Sequence, residues 1–338
     1  MNAIDILWKA AQPGARRALP ILSFPAVARM GVTVEDLVKS AELQAQAMAV
    51  IARETDTPAA ISLMDLSVEA EAFGASVRFH VDEVPAVTGC LIEDLEGAQA
   101  LAVPDPALGR TGLCAQAIAL AKARIKDKPV LAGIIGPFSL AGRLMDVTEI
   151  MYACYDEPET VHLVLEKATA FLTAYGRNLI RAGADGIVMA EPLAGILSPD
   201  LMEEFSAPYV AQLVQALQTG DCCLIYHNCG NSVPQMLDHI FAQGAAACHF
   251  GNAVDMDKVF EKAPEDVLCM GNIDPAGQFT HGTPESIAHA TLDLLARYGH
   301  RKNFVISSGC DIPANAPWDN INAFFQAVAK HNKEGQTP

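Results

Sequence analysis

The chain has 338 residues, 51% of them hydrophobic, and sets 23 Lys and Arg against 40 Asp and Glu for a formal charge of -17. That apolar content can fill one large core, and an α/β barrel takes about 250 residues before insertions. The acid excess, with no Lys/Arg cluster beyond pairs such as Arg16-Arg17, excludes a partner bound through a phosphate backbone, so no nucleic acid is expected.

The nine cysteines lack the spacing of a disulfide framework and point to a reducing, cytoplasmic compartment. The longest weakly charged run, Pro129 to Gly142, is too short for a bilayer and holds Gly and Pro, so no membrane association is expected.

In chain order, Met1 to Ala18 places Asp5, Lys9, Arg16 and Arg17 around a short apolar stretch, which is an amphipathic helix rather than a signal peptide. A first strand is expected over Leu19–Phe24 and a second over Ala60–Met64. The alternation within Gly74 to Ile92 (Ser76, Val77, Arg78, Phe79, His80, Val81) reads as a β-hairpin inserted after the second strand. Glu93 to Lys128 adds a long loop and helix, which with the hairpin would form a lid or pocket wall, or inert decoration. Further strands are expected at Pro129–Ile135, Gly186–Ala190, Cys222–His227, Ala246–Phe250, Val267–Gly271 and Asn303–Ser307.

Helix starts between them are marked by Ser198-Pro199-Asp200 and Thr283-Pro284-Glu285, the latter helix ending at Gly299. Asn231-Ser232 would cap a helix closing near Gly244. Only residues 332–338 look like a loose tail. Eight strands alternating with helices specify a single domain, residues 1–338, of the α/β class: one (β/α)8 TIM barrel with an N-terminal helical segment and the hairpin insertion.

A barrel carries its chemistry where its strands end at the C-terminal mouth. The fifth run ends in Tyr226-His227-Asn228-Cys229-Gly230, and residues two apart on an extended chain face the same side, so His227 and Cys229 can converge. Gly230 permits a sharp turn afterwards. The eighth run ends in Ser307-Ser308-Gly309-Cys310-Asp311 at the same mouth. Imidazole and two thiolates with a fourth position open form the donor set of a catalytic zinc. The plain alternative is that these cysteines are small core residues, the role assigned to Cys90, Cys114, Cys154, Cys222, Cys223, Cys248 and Cys269. Tyr226 and Met189 are read as packing. His80, His162, His239, His281, His289, His300 and His331 receive no role.

The chain resembles the uroporphyrinogen decarboxylase superfamily, and within it the zinc-dependent methylcobamide:coenzyme M (corrinoid:thiol) methyltransferases. The resemblance rests on Met64-Asp65-Leu66, Glu69-Ala70-Glu71-Ala72-Phe73-Gly74, Gly136-Pro137-Phe138, Ala182-Gly183-Ala184-Asp185, Glu191-Pro192 and Gly271-Asn272-Ile273-Asp274-Pro275. Its most specific segments are His227-Asn228-Cys229-Gly230-Asn231 and Gly309-Cys310. It implies zinc on His227, Cys229 and Cys310, a methyl donor that is a methylated corrinoid on a partner protein, and a small thiol such as coenzyme M as acceptor. The zinc would strip the proton from that thiol, whose free pKa is near 8.5.

Asp65, Glu191 and Asn272 are the candidate catalytic residues, and His249, Glu191 or water the candidate fourth ligand. Two departures disfavour the decarboxylase branch. The stretch Ser23-Phe24-Pro25-Ala26-Val27-Ala28-Arg29 holds one Arg where that branch has an Arg-Gln-Ala-Gly-Arg motif, and Cys310 replaces its His. Asp65 nonetheless stands where the decarboxylases keep their essential Asp. A zinc-binding barrel relative with another ligand is the remaining alternative. Arg29 and Arg143 come nearest to anion holders, with surface ion pairs as their plain alternative.

Overall fold

A computed structural model describes residues 2–334. Seven parallel strands form its main sheet: β1 (Ala60–Ile61), β4 (Val130–Ile135), β5 (Gly186–Ala190), β6 (Cys223–Asn228), β7 (Ala247–Phe250), β8 (Leu268–Ile273) and β9 (Phe304–Ser308), side by side in that order. Between β1 and β4, β2 (Ser76–Arg78) and β3 (Ala86–Thr88) pair antiparallel as the separate hairpin that the alternation specifies.

Side chains alternate across the sheet. Ile61, Leu131, Val188, Ile225, Ala247, Met270 and Val305, one from each strand, share one apolar cluster with Leu19 and Ile21. Their neighbours, among them Ala132, Met189, Tyr226 and Cys248, pack outward into the larger core beneath the helices. A sheet whose inner faces all meet in one cluster is curled on itself.

The expected first strand is not a ladder strand. Residues 19–24 run beside β9 but make one backbone bond to it, Leu19 N–H to Ile306 O at 3.0 Å. The next contacts go to side chains: Ile21 N–H donates to Ser308 Oγ at 3.0 Å, and Ser307 Oγ donates to Leu19 O at 2.6 Å. Pro20 lacks a donor, and the two serine hydroxyls take the place of ladder partners. The second strand, expected to reach Met64, stops at Ile61 for a similar reason, since Ser62 Oγ accepts from Gly133 N–H at 2.8 Å.

The N-terminal helix is Ala3–Ala10, shorter than Met1 to Ala18 because Gly14 turns the chain at φ 80°. Arg16 then lies buried, its guanidinium donating to the carbonyl oxygens of Gly299, Arg301 and Phe304. Residues 332–334 are not a loose tail. They end the helix Trp318–Glu334, and Asn332 Nδ2 donates to Arg16 O at 2.8 Å. Residues 335–338 lie outside the described residues.

Ser198 and Thr283 cap helices Pro199–Phe205 and Pro284–Tyr298, and the second ends at Gly299. Asn231-Ser232 caps nothing: a 3-10 turn, Val233–Gln235, intervenes before a short helix, Leu237–Ala242. Glu93 to Lys128 holds two helices, Leu95–Ala100 and Gly109–Arg124. Among the described residues no helix is long and apolar enough to cross a membrane.

Candidate metal centre

His227 lies near the end of β6 on its inward face, Cys229 follows one residue past the strand, and Cys310 follows β9. Their donor atoms all lie within 4.8 Å of one another, the histidine buried and the two cysteines half-buried. Cys310 Sγ is 3.5 Å from His227 Nε2. Bonds of about 2.3 Å to sulfur and about 2.05 Å to nitrogen at a tetrahedral angle put S and N roughly 3.6 Å apart. The donor set therefore fits a zinc ion in chemistry and in spacing, and the partial exposure of both sulfurs leaves a side for a fourth ligand.

The hydrogen bonds behind His227 determine which of its nitrogens is free. Its Nδ1 lies 2.8 Å from His249 Nδ1, His249 Nε2 lies 2.7 Å from Ser307 Oγ, and Ser307 Oγ lies 2.6 Å from Leu19 O. A carbonyl only accepts, so the serine proton points at Leu19. His249 Nε2 must then donate to Ser307. Burial, together with the nearby His227, holds His249 well below the ordinary imidazole pKa, so it is neutral and its Nδ1 can only accept. His227 Nδ1 is thereby the donor, and Nε2 presents a lone pair toward the sulfurs. Both nitrogens of His249 are occupied, so it supports His227 from behind and is not the fourth ligand. Between the sulfurs, Cys310 donates toward Cys229, which brings Cys229 down to about 7 and sends Cys310 up to about 12.

The turn that carries Cys229 is held by close backbone packing. A Cβ on Gly230 would sit 2.2 Å from Gly195 O, and one on Gly251 would sit 2.5 Å from both Cα and Cβ of Cys229. Gly230 is thus needed for close approach, not for a left-handed backbone. Gly251→Ala should push Cys229 off its site; zinc content well below wild type, in a variant with unchanged circular dichroism, would show this.

Asn272 works from behind the same loop, its Nδ2 donating to Gly251 O at 2.9 Å and Val254 O at 2.7 Å. Glu191 is fully buried, with Oε1 accepting from Phe138 N–H at 2.6 Å and Oε2 from Ser139 N–H and Oγ at 2.9 and 2.6 Å. These donors begin the helix Pro137–Met145, so the carboxylate is a helix-start acceptor with both oxygens engaged, not a free fourth ligand. Burial pushes its pKa from 4.5 up to about 7 against the three hydrogen bonds. A raised acid pKa stabilises the fold most below about 4.5, and that contribution is lost as pH rises through about 7. Thermal melts from pH 5 to 8 should therefore fall less steeply for Glu191→Gln than for the wild type.

Asp65 is held apart from the three metal candidates. Its Oδ2 pairs with Arg110, and its Oδ1 accepts from Ser67 N–H at 3.0 Å and Ser67 Oγ at 2.6 Å. Arg110 also binds Glu71 and lies 5.0 Å from the Phe79 ring centroid. This cluster ties the hairpin and the helix Gly109–Arg124 to the end of β1. The Asp65 and Arg110 side chains are 3% and 9% exposed, so Asp65→Ala should cost about 3 kcal/mol in urea unfolding. The His227–His249–Ser307 relay escaped the sequence reading, although His227 and His249 are register partners on adjacent inward positions. Arg110 gave no local signal.

A parallel α/β sheet with a His/Cys/Cys donor cluster at its strand ends defines a class of candidate metalloenzyme. The family model "Uroporphyrinogen decarboxylase (URO-D)" matches residues 15–331, and the chain belongs to that family. It is 26% identical to the methylcobamide:CoM methyltransferase MtbA of Methanosarcina acetivorans, over 94% of this chain and 96% of that one. It is also 26% identical to the uroporphyrinogen decarboxylase of Aeromonas salmonicida, over 95% and 91%. A methyltransferase structure from Methanosarcina mazei superposes with a TM-score of 0.85 at 22% identity, covering 98% of this chain and 99% of that one, which shows a shared fold.

Proposed function

We propose that this chain is a zinc-dependent methyltransferase that moves a methyl group from a methylated corrinoid, carried on a partner protein, to a small thiol such as coenzyme M. The observation that carries the reading is the cluster of His227 Nε2, Cys229 Sγ and Cys310 Sγ, with the histidine lone pair fixed toward the sulfurs. These three residues would hold the ion. Zinc bound there supplies Lewis acidity, lowering the pKa of a thiol in the fourth position so that its sulfur can take the methyl group. His249 and Ser307 keep the His227 proton on Nδ1, and Gly230 and Gly251 keep Cys229 in place. Asn272, Glu191 and Asp65 act as supports of the surrounding loops, helix start and hairpin.

The uroporphyrinogen decarboxylases are matched at equal identity, which keeps that activity as the second reading. Arg110 taken up by Asp65 and Glu71, and Arg29 paired with Glu54, argue against it, because two cations that could hold a polycarboxylate are already matched. A zinc-binding relative with another ligand is the third. We take the fold to be one closed (β/α)8 barrel domain with residues 19–24 in the place of its first strand, working in the cytoplasm. Metal analysis of purified protein, followed by methylcobalamin with a panel of thiols, tests the proposal. About one zinc per chain and thiol methylation are expected; metal-free protein releasing carbon dioxide from a porphyrinogen would replace it with the second reading.

A further inference from the structure

Every large apolar side chain that stands exposed among the described residues lies on one side of the sheet, on the connections that follow β1, β4 and β5. Tyr152 and Tyr155 are 64% and 70% exposed. They stand three residues apart on the helix Val147–Asp156 and so share one of its faces. The other face is spoken for, with Ile150 and Cys154 buried against the body of the protein.

Close contacts gather these residues into one surface and join it to the metal centre. Leu91, also exposed, and Ile92 both donate their N–H to Leu144 O, at 2.8 and 3.0 Å, just ahead of that helix. A Cβ on Gly142 would sit 2.5 Å from Leu193 Cδ1 and 3.6 Å from Ile150 Cγ2, so the helix meets the 3-10 turn Leu193–Ile196 there. The same turn abuts the metal centre. Its Gly195 O accepts from Ser232 N–H at 3.1 Å and leaves no room for a Cβ on Gly230. Ile196, half exposed, therefore stands beside the turn that carries Cys229.

The charge of this surface has one sign. No Lys or Arg occurs from Phe79 to Gly109, from Leu144 to Glu166 or from Ala182 to Asp257. A groove of about 460 Å3 runs between residues 90–93 and the tyrosine-bearing helix. Glu93, Glu149, Asp156 and Glu157 line it together with Tyr152, and no basic residue is among its walls. Like charge opposes a second copy meeting itself through this face, and it repels nucleic acid and anionic lipid too. Apolar anchors in an acidic surround are the complement of a basic, apolar-centred partner.

We infer that this face docks a separate protein whose contact region is apolar at its centre and rimmed by Lys and Arg. Tyr152 and Tyr155 enter that centre as anchors, tyrosine being among the residues that dominate the energy of such contacts. The four carboxylates receive the basic rim and steer its approach, which makes association sensitive to salt. The contact of Gly195 with Gly230 sets the docked protein beside the Cys229 turn. The inference rests on exposure and charge alone and holds whichever reaction the metal centre performs.

The probe is a fluorescent amphipathic peptide of leucine and lysine at helical spacing, titrated with the full chain and followed by anisotropy. A leucine/glutamate peptide is its control. The wild type should bind the first saturably and the second not at all, with affinity falling about 10-fold as salt rises from about 0.05 to about 0.3 M. The double variant Tyr152→Ser, Tyr155→Ser should bind about 10- to 100-fold more weakly at unchanged circular dichroism. Glu149→Gln with Asp156→Asn should slow association and flatten the salt dependence. Glu261→Gln with Glu265→Gln removes the same charge from exposed positions ahead of β8 and should change neither. Absence of saturable binding, an unaffected tyrosine variant, or equal losses from the two acid pairs would each overturn the docking face. A wild-type dimer that the tyrosine variant dissolves would assign the face to a second copy and end the proposal as well.

Discussion

Cys310→Ala should leave protein that folds normally, carries less than about a tenth of a zinc per chain, and has lost methyl transfer to thiols by at least about a thousand-fold. The argument is one of coordination number. Three protein donors and one exchangeable position describe a catalytic zinc, and removing one thiolate leaves two donors and a less negative site. Cys229→Ala should behave alike. The fold should survive, because both cysteines are half-buried at strand ends and the apolar core runs beneath them. Cys248→Ala is the matched control: Cys248 is buried, a free thiol on β7 packed outward into the core, and its loss should cost some stability and no zinc. Zinc by mass spectrometry of the metal and turnover with methylcobalamin give the two readouts. A Cys310→Ala protein with wild-type zinc and turnover would sink the site assignment outright.

Much of this arrangement is legible in the sequence because it follows from period and punctuation. Six of the eight strands fall where the runs put them, and the hairpin follows from alternation at Ser76 to Val81. Ser198 and Thr283 show their caps directly in the residue types. The His-x-Cys spacing at the end of one strand, with a second Cys after another, is enough to bring the three donors to one end of a parallel sheet. What fails is informative. Residues 19–24 have strand composition, but Ser307 and Ser308 compete for their backbone groups through side chains, which no propensity captures.

Residue roles are the harder part. Asp65 and Glu191 look free as sequence symbols, and each is fully occupied by groups 2 to 53 residues away. The matching donors, Ser67, Arg110 and the start of the helix Pro137–Met145, become visible only when helices are laid on strands. Gly230 reads as a turn residue, whereas its indispensable property is the absence of a Cβ against Gly195. Family membership leaves the same gap, since a methyltransferase and a decarboxylase stand at 26% identity alike. Overall likeness therefore does not choose between them, and the choice rests on the donor set.

His249→Leu should weaken zinc binding about 10- to 100-fold without touching a ligand. In the wild type, the carbonyl of Leu19 can only accept, and that constraint passes through Ser307 and His249 to put the His227 proton on Nδ1. Leucine fills the space but removes the acceptor. His227 then either keeps a buried N–H without a partner, at a cost of about 1 to 3 kcal/mol, or moves its proton to Nε2 and turns an N–H toward the sulfurs where a lone pair is required. The first lowers the stability of the fold by that amount and leaves the ring less firmly oriented as a ligand, and the second opposes metal binding directly. His249→Asn restores a carbonyl oxygen near the Nδ1 proton and should recover part of the affinity. Ser307→Ala, one step further out, should cost less than His249→Leu. Competition of each purified variant against a chelator of known zinc affinity gives the ranking. Wild-type affinity in His249→Leu would mean that the proton on His227 is held by something other than this relay.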